Sequence, residues 1–366
     1  MSETEELRIL PLHAQHAAAG ARFAPFAGWN MPVRYTQIKD EHMTVRRAAG
    51  LFDVSHMGEV FVRGENAIAA VNALVTNDVS KLADGQALYT IMCYPDGGCV
   101  DDLIVYRLAH DEVLICVNAG NRAKDFAWIR DNIAPGVVVT DESDSFVQLA
   151  LQGPKAVAIA GRATSGATDA ISGFYCGWVQ VAGARVLAAR TGYTGEDGFE
   201  FYIPVSDSVA VCEALFAAGQ DDGLSWIGLG ARDSLRLEAR LPLYGHEITA
   251  ELNPLDAGLG WVVKFDKGEF IGREALLAIR EAGLTRRLRG LILEGKGMLR
   301  DGFDVVVDGE TVGITTSGSV AFALNEEAIA LAYIAEPHCN RETVDVSIRG
   351  RLVPARVISR PFYRRS

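Results

Sequence analysis

Three short segments of the 366-residue chain carry residue types that do chemistry. The first is Asp101-Asp102, which follows the Gly97-Gly98 turn and enters the apolar run Leu103-Ile-Val-Tyr106. Successive strand residues face opposite sides, so only one of these carboxylates faces a given pocket. Asp101 shares a side with Leu103 and Val105, and Asp102 with Val100 and Ile104; periodicity does not choose between them. A carboxylate among apolar side chains has a raised pKa and suits general-base work, yet local sequence alone favours a plain turn or strand-edge pair. The second segment is Thr191-Gly-Tyr-Thr-Gly-Glu-Asp-Gly-Phe-Glu200. Its three glycines let backbone approach a ligand closely, and Tyr193 and Glu200 are suitable recognition groups. A carboxylate such as Glu200 can accept two parallel hydrogen bonds from an amidine-like N–H pair of the kind a pterin presents. An ordinary glycine-rich hairpin has the same composition.

The third segment, Gly228-Leu-Gly-Ala-Arg-Asp-Ser-Leu-Arg-Leu-Glu238, looks like the start of a dinucleotide fingerprint. Asp233 stands where the third glycine belongs and would repel a pyrophosphate, and no clear βαβ unit surrounds it. The segment reads better as a helix start with Arg232 in its first turn, unfavourable to the helix dipole and so placed either for a ligand or against a nearby acid. Arg236 reads as structural. Asp53-Val-Ser-His-Met57 invites a search for a nucleophile pair, but there is no GxSxG elbow, and Ser55 and His56 point opposite ways on an extended segment. The aromatic group Phe174, Tyr175 and Trp178 is of a kind that lines flat ligands but more often fills a core.

These segments need elements to hold them. Helical patterns run over 12–21, over 37–49 with Gly50 as C-cap, and over 66–74, 121–132, 208–218, 231–239 and 273–282, the last closed by Gly283. Phe26-Ala-Gly-Trp-Asn-Met-Pro32 reads as a turn rich in Gly and Pro. Strand patterns fall at 58–63, 87–93, 100–108, 112–117, 146–152, 179–181, 186–191 and 199–203. Short strands and helices without a βαβ rhythm predict antiparallel α+β layers. After Arg287 the chain turns to short strands closed by Asp308-Gly309 and Arg349-Gly350, which predicts a terminal all-β module, a barrel or jelly roll.

Composition removes several function classes. The net charge of −12 disfavours a nucleic-acid partner. The field is uneven: from Arg286 onward twelve basic side chains face ten acidic ones, leaving −14 on the rest, so a basic C-terminal module could dock an acidic partner. The acidic start Met1-Ser-Glu-Thr-Glu-Glu6 does not read as a leader, and no apolar run is long enough to span a bilayer. Six scattered cysteines make no CxxC pair, and the seven histidines show no HExxH spacing, so neither a disulfide framework nor a metal site is expected. A cytoplasmic protein with reduced thiols is the expectation.

Taken together, the motifs resemble a known family. Phe26-Ala-Gly-Trp-Asn-Met-Pro, Leu51-Phe-Asp-Val-Ser-His-Met, Gly97-Gly-Cys-Val-Asp-Asp-Leu-Ile-Val, Leu151-Gln-Gly-Pro, Thr191-Gly-Tyr-Thr-Gly-Glu, Gly228-Leu-Gly-Ala-Arg-Asp-Ser-Leu-Arg-Leu-Glu-Ala and Ile314-Thr-Thr-Ser-Gly follow one another as in the T-protein of the glycine cleavage system, the aminomethyltransferase family. The likeness runs from about Leu12 to Tyr363. It implies an α+β fold of three modules in a cloverleaf around a central folate channel: 1–56 with 144–248, 57–143 with 249–285, and a β-barrel module at 286–366. The implied reaction takes the aminomethyl group from the dihydrolipoyl arm of a lipoylated H-protein and transfers its one-carbon unit to tetrahydrofolate. The implied catalytic residue is Asp101. Met57, Tyr89, Tyr193, Glu200, Arg232 and Tyr363 fall on the substrate and folate positions. A monomer without metal is expected. One departure is that Arg240-Leu-Pro replaces the commoner Gly-Met after Leu-Glu-Ala.

Two rivals share parts of this pattern. A tetrahydrofolate-dependent demethylase of the same superfamily, acting on a small S-, O- or N-methyl donor, would keep the pterin site and change the donor pocket. A non-enzymatic folate-binding branch that supports iron–sulfur cluster assembly carries Lys-Gly-Cys-Tyr-x-Gly-Gln-Glu. Here the aligned stretch is Lys267-Gly-Glu-Phe-Ile-Gly-Arg-Glu274, without the cysteine.

Overall fold

The computed structural model describes residues 6–365, so the reading of the acidic start at 1–5 lies outside the described residues. Two compact units divide the chain. The first takes Met1–Val71, Val79–Tyr89 and Leu103–Asp233, and the second Asn72–Asp78, Thr90–Asp102 and Ser234–Ser366.

A six-stranded sheet in the first unit runs in the order Cys176–Val181, Ala184–Ala189, Gly198–Pro204, Phe146–Gln152, Gly50–Asp53, Ser225–Trp226. All its pairings are antiparallel except the last. Its sequence alternation sorts the side chains. Val147, Leu149 and Leu151, with Phe199, Phe201 and Ile203, join the core that packs against the helices Ala156–Ala163 and Ser208–Gly219. The intervening Gln148, Glu200 and Tyr202 therefore face the other way. On that opposite face, Tyr202 meets Phe61, Tyr106, Leu114 and Cys116 in a second apolar cluster. Those four come from the strands Gly58–Arg63, Cys99–Ala109 and Glu112–Val117 of a five-stranded sheet. Full burial of a large apolar side chain is worth about 1.5–3 kcal/mol, so this alternation fixes which polar residues are carried inside with the cluster.

In the second unit the strands Arg286–Leu293, Glu327–Ala335, Glu310–Ala321, Asp304–Val307, Thr343–Ile348 and Arg351–Ile358 close into a barrel. Closure leaves no unpaired sheet edge. The helix Arg273–Ala282 ends at Gly283 with φ +84°, as its position in the sequence predicts.

Three expectations need correction. The segment around Phe26 is a hairpin and not only a turn: Arg22–Phe26 pairs with Trp29–Arg34 through Ala27 and Gly28, both at positive φ. A two-residue loop of that type matches strand twist, while Pro25 and Pro32 hide the strand pattern. Gly50 does not cap the preceding helix, which ends at Arg47; it opens a strand, where a Cβ would meet the Ile227 side chain at 2.3 Å. Phe174 and Trp178 are not core residues, being 48% and 40% exposed, and the Arg185 guanidinium covers the Trp178 ring at 4.0 Å.

Candidate functional site

In the first unit the loop from Thr191 to Asp197 is held on three sides. Gln152 donates from Nε2 to the Thr191 carbonyl (3.0 Å) and accepts from the Thr194 hydroxyl (3.0 Å). A side chain at Gly192 would place its Cβ 1.9 Å from Gln152 Oε1, so this position needs glycine for space. Arg46 donates to the Thr194 carbonyl (2.8 Å) and to Glu196 (2.7 Å), both partners of that ion pair being buried. Arg190 forms a two-pronged pair with Asp197 at 3.0 and 2.8 Å. The loop is thus pre-set, with Tyr193 half-buried at its middle.

Glu200 terminates a closed ring of hydrogen bonds. Gln148 Nε2 donates to Glu200 Oε1 (3.1 Å) and to the Tyr202 hydroxyl (3.3 Å). Tyr202 donates to the Tyr106 hydroxyl (3.0 Å), which lies 3.1 Å from Thr191 Oγ1. Thr191 in turn donates to Glu200 Oε2 (2.5 Å), so its single hydrogen is used and it must accept from Tyr106. Both donor paths end on the carboxylate. Burial pushes the Glu200 carboxyl above the usual range, and the Thr191 hydroxyl, the Arg232 guanidinium and the Gln148 amide pull it back. Each carboxylate oxygen keeps a lone pair beyond its internal donor, which suits a parallel pair of incoming N–H groups.

Arg232 stands in the first turn of the helix Leu229–Glu238. Just before that helix, the Gly228 N–H donates to Glu41 Oε2 (2.8 Å), while Glu41 Oε1 takes the Tyr35 and Thr36 N–H groups. A carboxylate already occupies the place a phosphate would take, which removes the dinucleotide reading. The Arg232 guanidinium lies 4.8 Å from the centre of the Tyr193 ring. Burial lowers its pKa, and Tyr193 and Glu200 raise it in part. His56 is buried nearby; burial, then Arg232, bring it down to about 3, so it is neutral at physiological pH. Met57 packs against the cluster of Tyr106, Cys116 and Tyr202. Tyr89 is half-buried in the strand Gln86–Cys93. Met57, Tyr193, Glu200 and Arg232 therefore gather around one face of the first unit.

In the second unit Asp101 is fully buried, 0% exposed, while Asp102 is half-buried. The chain before Asp101 is pinned. Cys99 donates its N–H to the carbonyls of Thr249 and Leu252, each at 3.1 Å, and its own carbonyl accepts from the Tyr244 hydroxyl (3.3 Å). Gly98 is pressed so closely against this segment that a Cβ would lie 1.8 Å from the Ala250 carbonyl oxygen. Tyr363 is half-buried, and its N–H donates to the carbonyl of the buried Glu238 (2.8 Å). Arg236 is structural: it bonds Glu247 (2.9 Å) and Ser317 (2.9 Å) inside this unit.

Sequence reasoning passed over Gln148, Tyr106 and Tyr202. The available signal was a polar residue at period two inside an otherwise apolar strand, as at Gln148 between Val147 and Leu149. Ser55 and His56 are not a nucleophile pair. The Ser55 hydroxyl donates to Asp53 Oδ1 (2.5 Å), and Asp53 Oδ2 bonds His16 (2.8 Å). The substitution noted at Arg240 falls at φ +58°, a left-handed position that favours glycine. Its guanidinium compensates by bonding the carbonyls of Ser359 and Leu288.

The first unit thus carries antiparallel layers with a buried carboxylate between them, and the second a closed C-terminal barrel. The family model for the GCVT N-terminal domain matches residues 12–267, and that for the glycine cleavage T-protein C-terminal barrel domain matches residues 286–364. An aminomethyltransferase of Moorella thermoacetica is 49% identical over 98% of this chain and 99% of its own length. One of Desulforamulus reducens is 47% identical over 99% of each. The crystal structure of glycine cleavage system aminomethyltransferase T from Bartonella henselae superimposes with a TM-score of 0.91, at 34% identity and 98% coverage of both chains. The chain belongs to the aminomethyltransferase family, the T-proteins of the glycine cleavage system.

Proposed function

We propose that the chain takes the aminomethyl group from the dihydrolipoyl arm of a lipoylated H-protein and passes its one-carbon unit to tetrahydrofolate. The products are 5,10-methylenetetrahydrofolate, ammonia and the reduced arm. One new carbon bond forms to each of N5 and N10; of the two N–H protons displaced, one goes to the arm sulfur and one to the departing amine. The observation that carries this reading is the Glu200 site, a buried carboxylate held by two internal donors with acceptor capacity left for a pterin N–H pair. Tyr193 and Arg232 would fix the ring beside it, with Met57, Tyr89 and Tyr363 lining the substrate positions. Folate N5 is a weakly basic amine, neutral at pH 7, and needs positioning more than deprotonation before it attacks. Asp101 would hold N5 toward the methylene carbon and accept the proton that attack makes acidic, a role worth a factor of about 10² to 10⁴. The three-module division at residues 56/57, 143/144, 248/249 and 285/286 is part of the same reading, as are a monomer, a cytoplasmic setting and the lack of a metal.

The H-protein is proposed to be drawn by the basic C-terminal module. Arg286 and Arg287 already pair with Asp256 (3.1 Å) and Glu336 (2.6 Å), and Arg289 bonds the Cys339 carbonyl (2.8 Å). These pairings weaken their net pull on a partner, and the exposed Arg364 adds to it. Reversing Arg364 and Arg365 should flatten the salt dependence of turnover; an unchanged dependence removes this part. The test of the whole reading is ammonia release with lipoylated H-protein and tetrahydrofolate, run beside small S-, O- and N-methyl donors. Turnover with H-protein alone supports it, and turnover only with a methyl donor overturns it.

A further inference from the structure

Glu59 is a buried ionisable group that the reaction leaves unused. It lies in the strand Gly58–Arg63, on the same side as Phe61 and directly across the ladder from Cys116. Phe61 and Cys116 belong to the cluster that holds Tyr106 and Tyr202, so Glu59 shares the face on which the Glu200 ring is built. It is 1% exposed, and among the described residues nothing bonds its Oε1. Cys116 opposite it points its Sγ at Gln148 Oε1 (3.8 Å), on the same amide that donates to Glu200.

The charged groups around Glu59 are Arg122, Asp141, Asp144 and Glu200, and burial outweighs them all, raising its carboxyl well above the ordinary range. Arg122 favours the anion but gives Nη2 to Asp144 (2.9 Å), and the three acids oppose it. Cys116 is a neutral thiol, raised by burial. Burial raises both Glu59 and Glu200, but their partners differ. Glu200 receives two donors and faces Arg232, while Glu59 has no donor at Oε1. Of two buried carboxyls, the one whose oxygens already meet donors is the better acceptor, and the one with an oxygen that meets no donor is the better proton carrier.

We propose that Glu59 is a positioning residue for the pterin: a neutral carboxylic acid that offers its O–H to an acceptor on the ring while Glu200 accepts from the ring's N–H edge. Such a pair matches a heterocycle whose rim alternates donors and acceptors. This rests on the reading that the Glu200 site holds the folate.

The test is binding of 5-formyltetrahydrofolate to the full chain by calorimetry between pH 6 and 9, with thermal unfolding of each variant measured alongside. Wild-type affinity should fall on the alkaline side, where Glu59 loses its proton. Glu59→Met should bind about tenfold more weakly at pH 7. Glu59→Gln, which keeps a donor, should recover affinity to within about threefold and lose the alkaline fall. Gln binding as weakly as Met, or Met matching wild type, overturns the inference. If Met does not fold, the persistence of the alkaline fall in Gln overturns it instead. Glu200→Gln and Arg232→Met separate the two levels. Unchanged affinity in those variants removes the site reading itself, whereas their loss of affinity beside indifferent Glu59 variants removes only the role of Glu59.

Discussion

Thr191→Val probes the donor ring most sharply, because valine keeps the shape and removes the one hydroxyl that both accepts from Tyr106 and donates to Glu200. A hydrogen bond to a charged group is worth about 1.5–3 kcal/mol, and one pKa unit corresponds to about 1.4 kcal/mol. Losing it should raise the Glu200 pKa by about 1–2 units above a value that burial has already pushed up. The folate N–H pair needs the anion, so affinity is full above this pKa and falls about tenfold per pH unit below it. The acid limb of the 5-formyltetrahydrofolate binding profile should therefore move to higher pH by the same 1–2 units. Tyr202→Phe, two bonds further back, should move it by less than half as much. An acid limb that stays in place in Thr191→Val would refute the claim that this ring sets the charge on Glu200.

Two other outcomes are expected. His56 is held at about 3 in the folded protein against 6.5 in the unfolded chain, so between those values the unfolded state binds the extra proton. Stability is therefore lost as pH falls from 6.5 toward 3, by up to about 1.4 kcal/mol per unit, and denaturant melts of His56→Gln should show a shallower acid slope than wild type. Arg240→Ala keeps the left-handed strain and loses the bonds to Ser359 and Leu288, whereas Arg240→Gly loses only the bonds. Thermal unfolding should find the glycine variant more stable than the alanine variant by about 1 kcal/mol.

Much of this was legible before any coordinates. The strand patterns at 58–63, 112–117 and 146–152 have the bounds the period-two pattern gives, because each buries one face against an apolar cluster. The barrel was announced by Asp308-Gly309 and Arg349-Gly350, which both turn at positive φ. The hairpin around Ala27-Gly28 was missed because its prolines remove donors that a strand normally uses. The side of the Asp101-Asp102 pair was undecidable, since both faces of that strand carry apolar neighbours, and only the folded packing separates a fully buried Asp101 from a half-buried Asp102. The ring members Gln148 and Tyr106 were invisible for another reason: they lie up to 94 positions away from Glu200 in sequence and meet it only in the fold. A departure at Arg240 was visible as a substitution, while its physical meaning needed the φ angle.

The most direct test of the account is Asp101→Asn, assayed for turnover with lipoylated H-protein and for tetrahydrofolate affinity on the same preparation. Asparagine keeps the shape and removes the proton acceptor, so turnover should fall by about 10² to 10⁴ while affinity stays within about threefold. Turnover persisting near the wild-type rate, with folate bound normally, would contradict it.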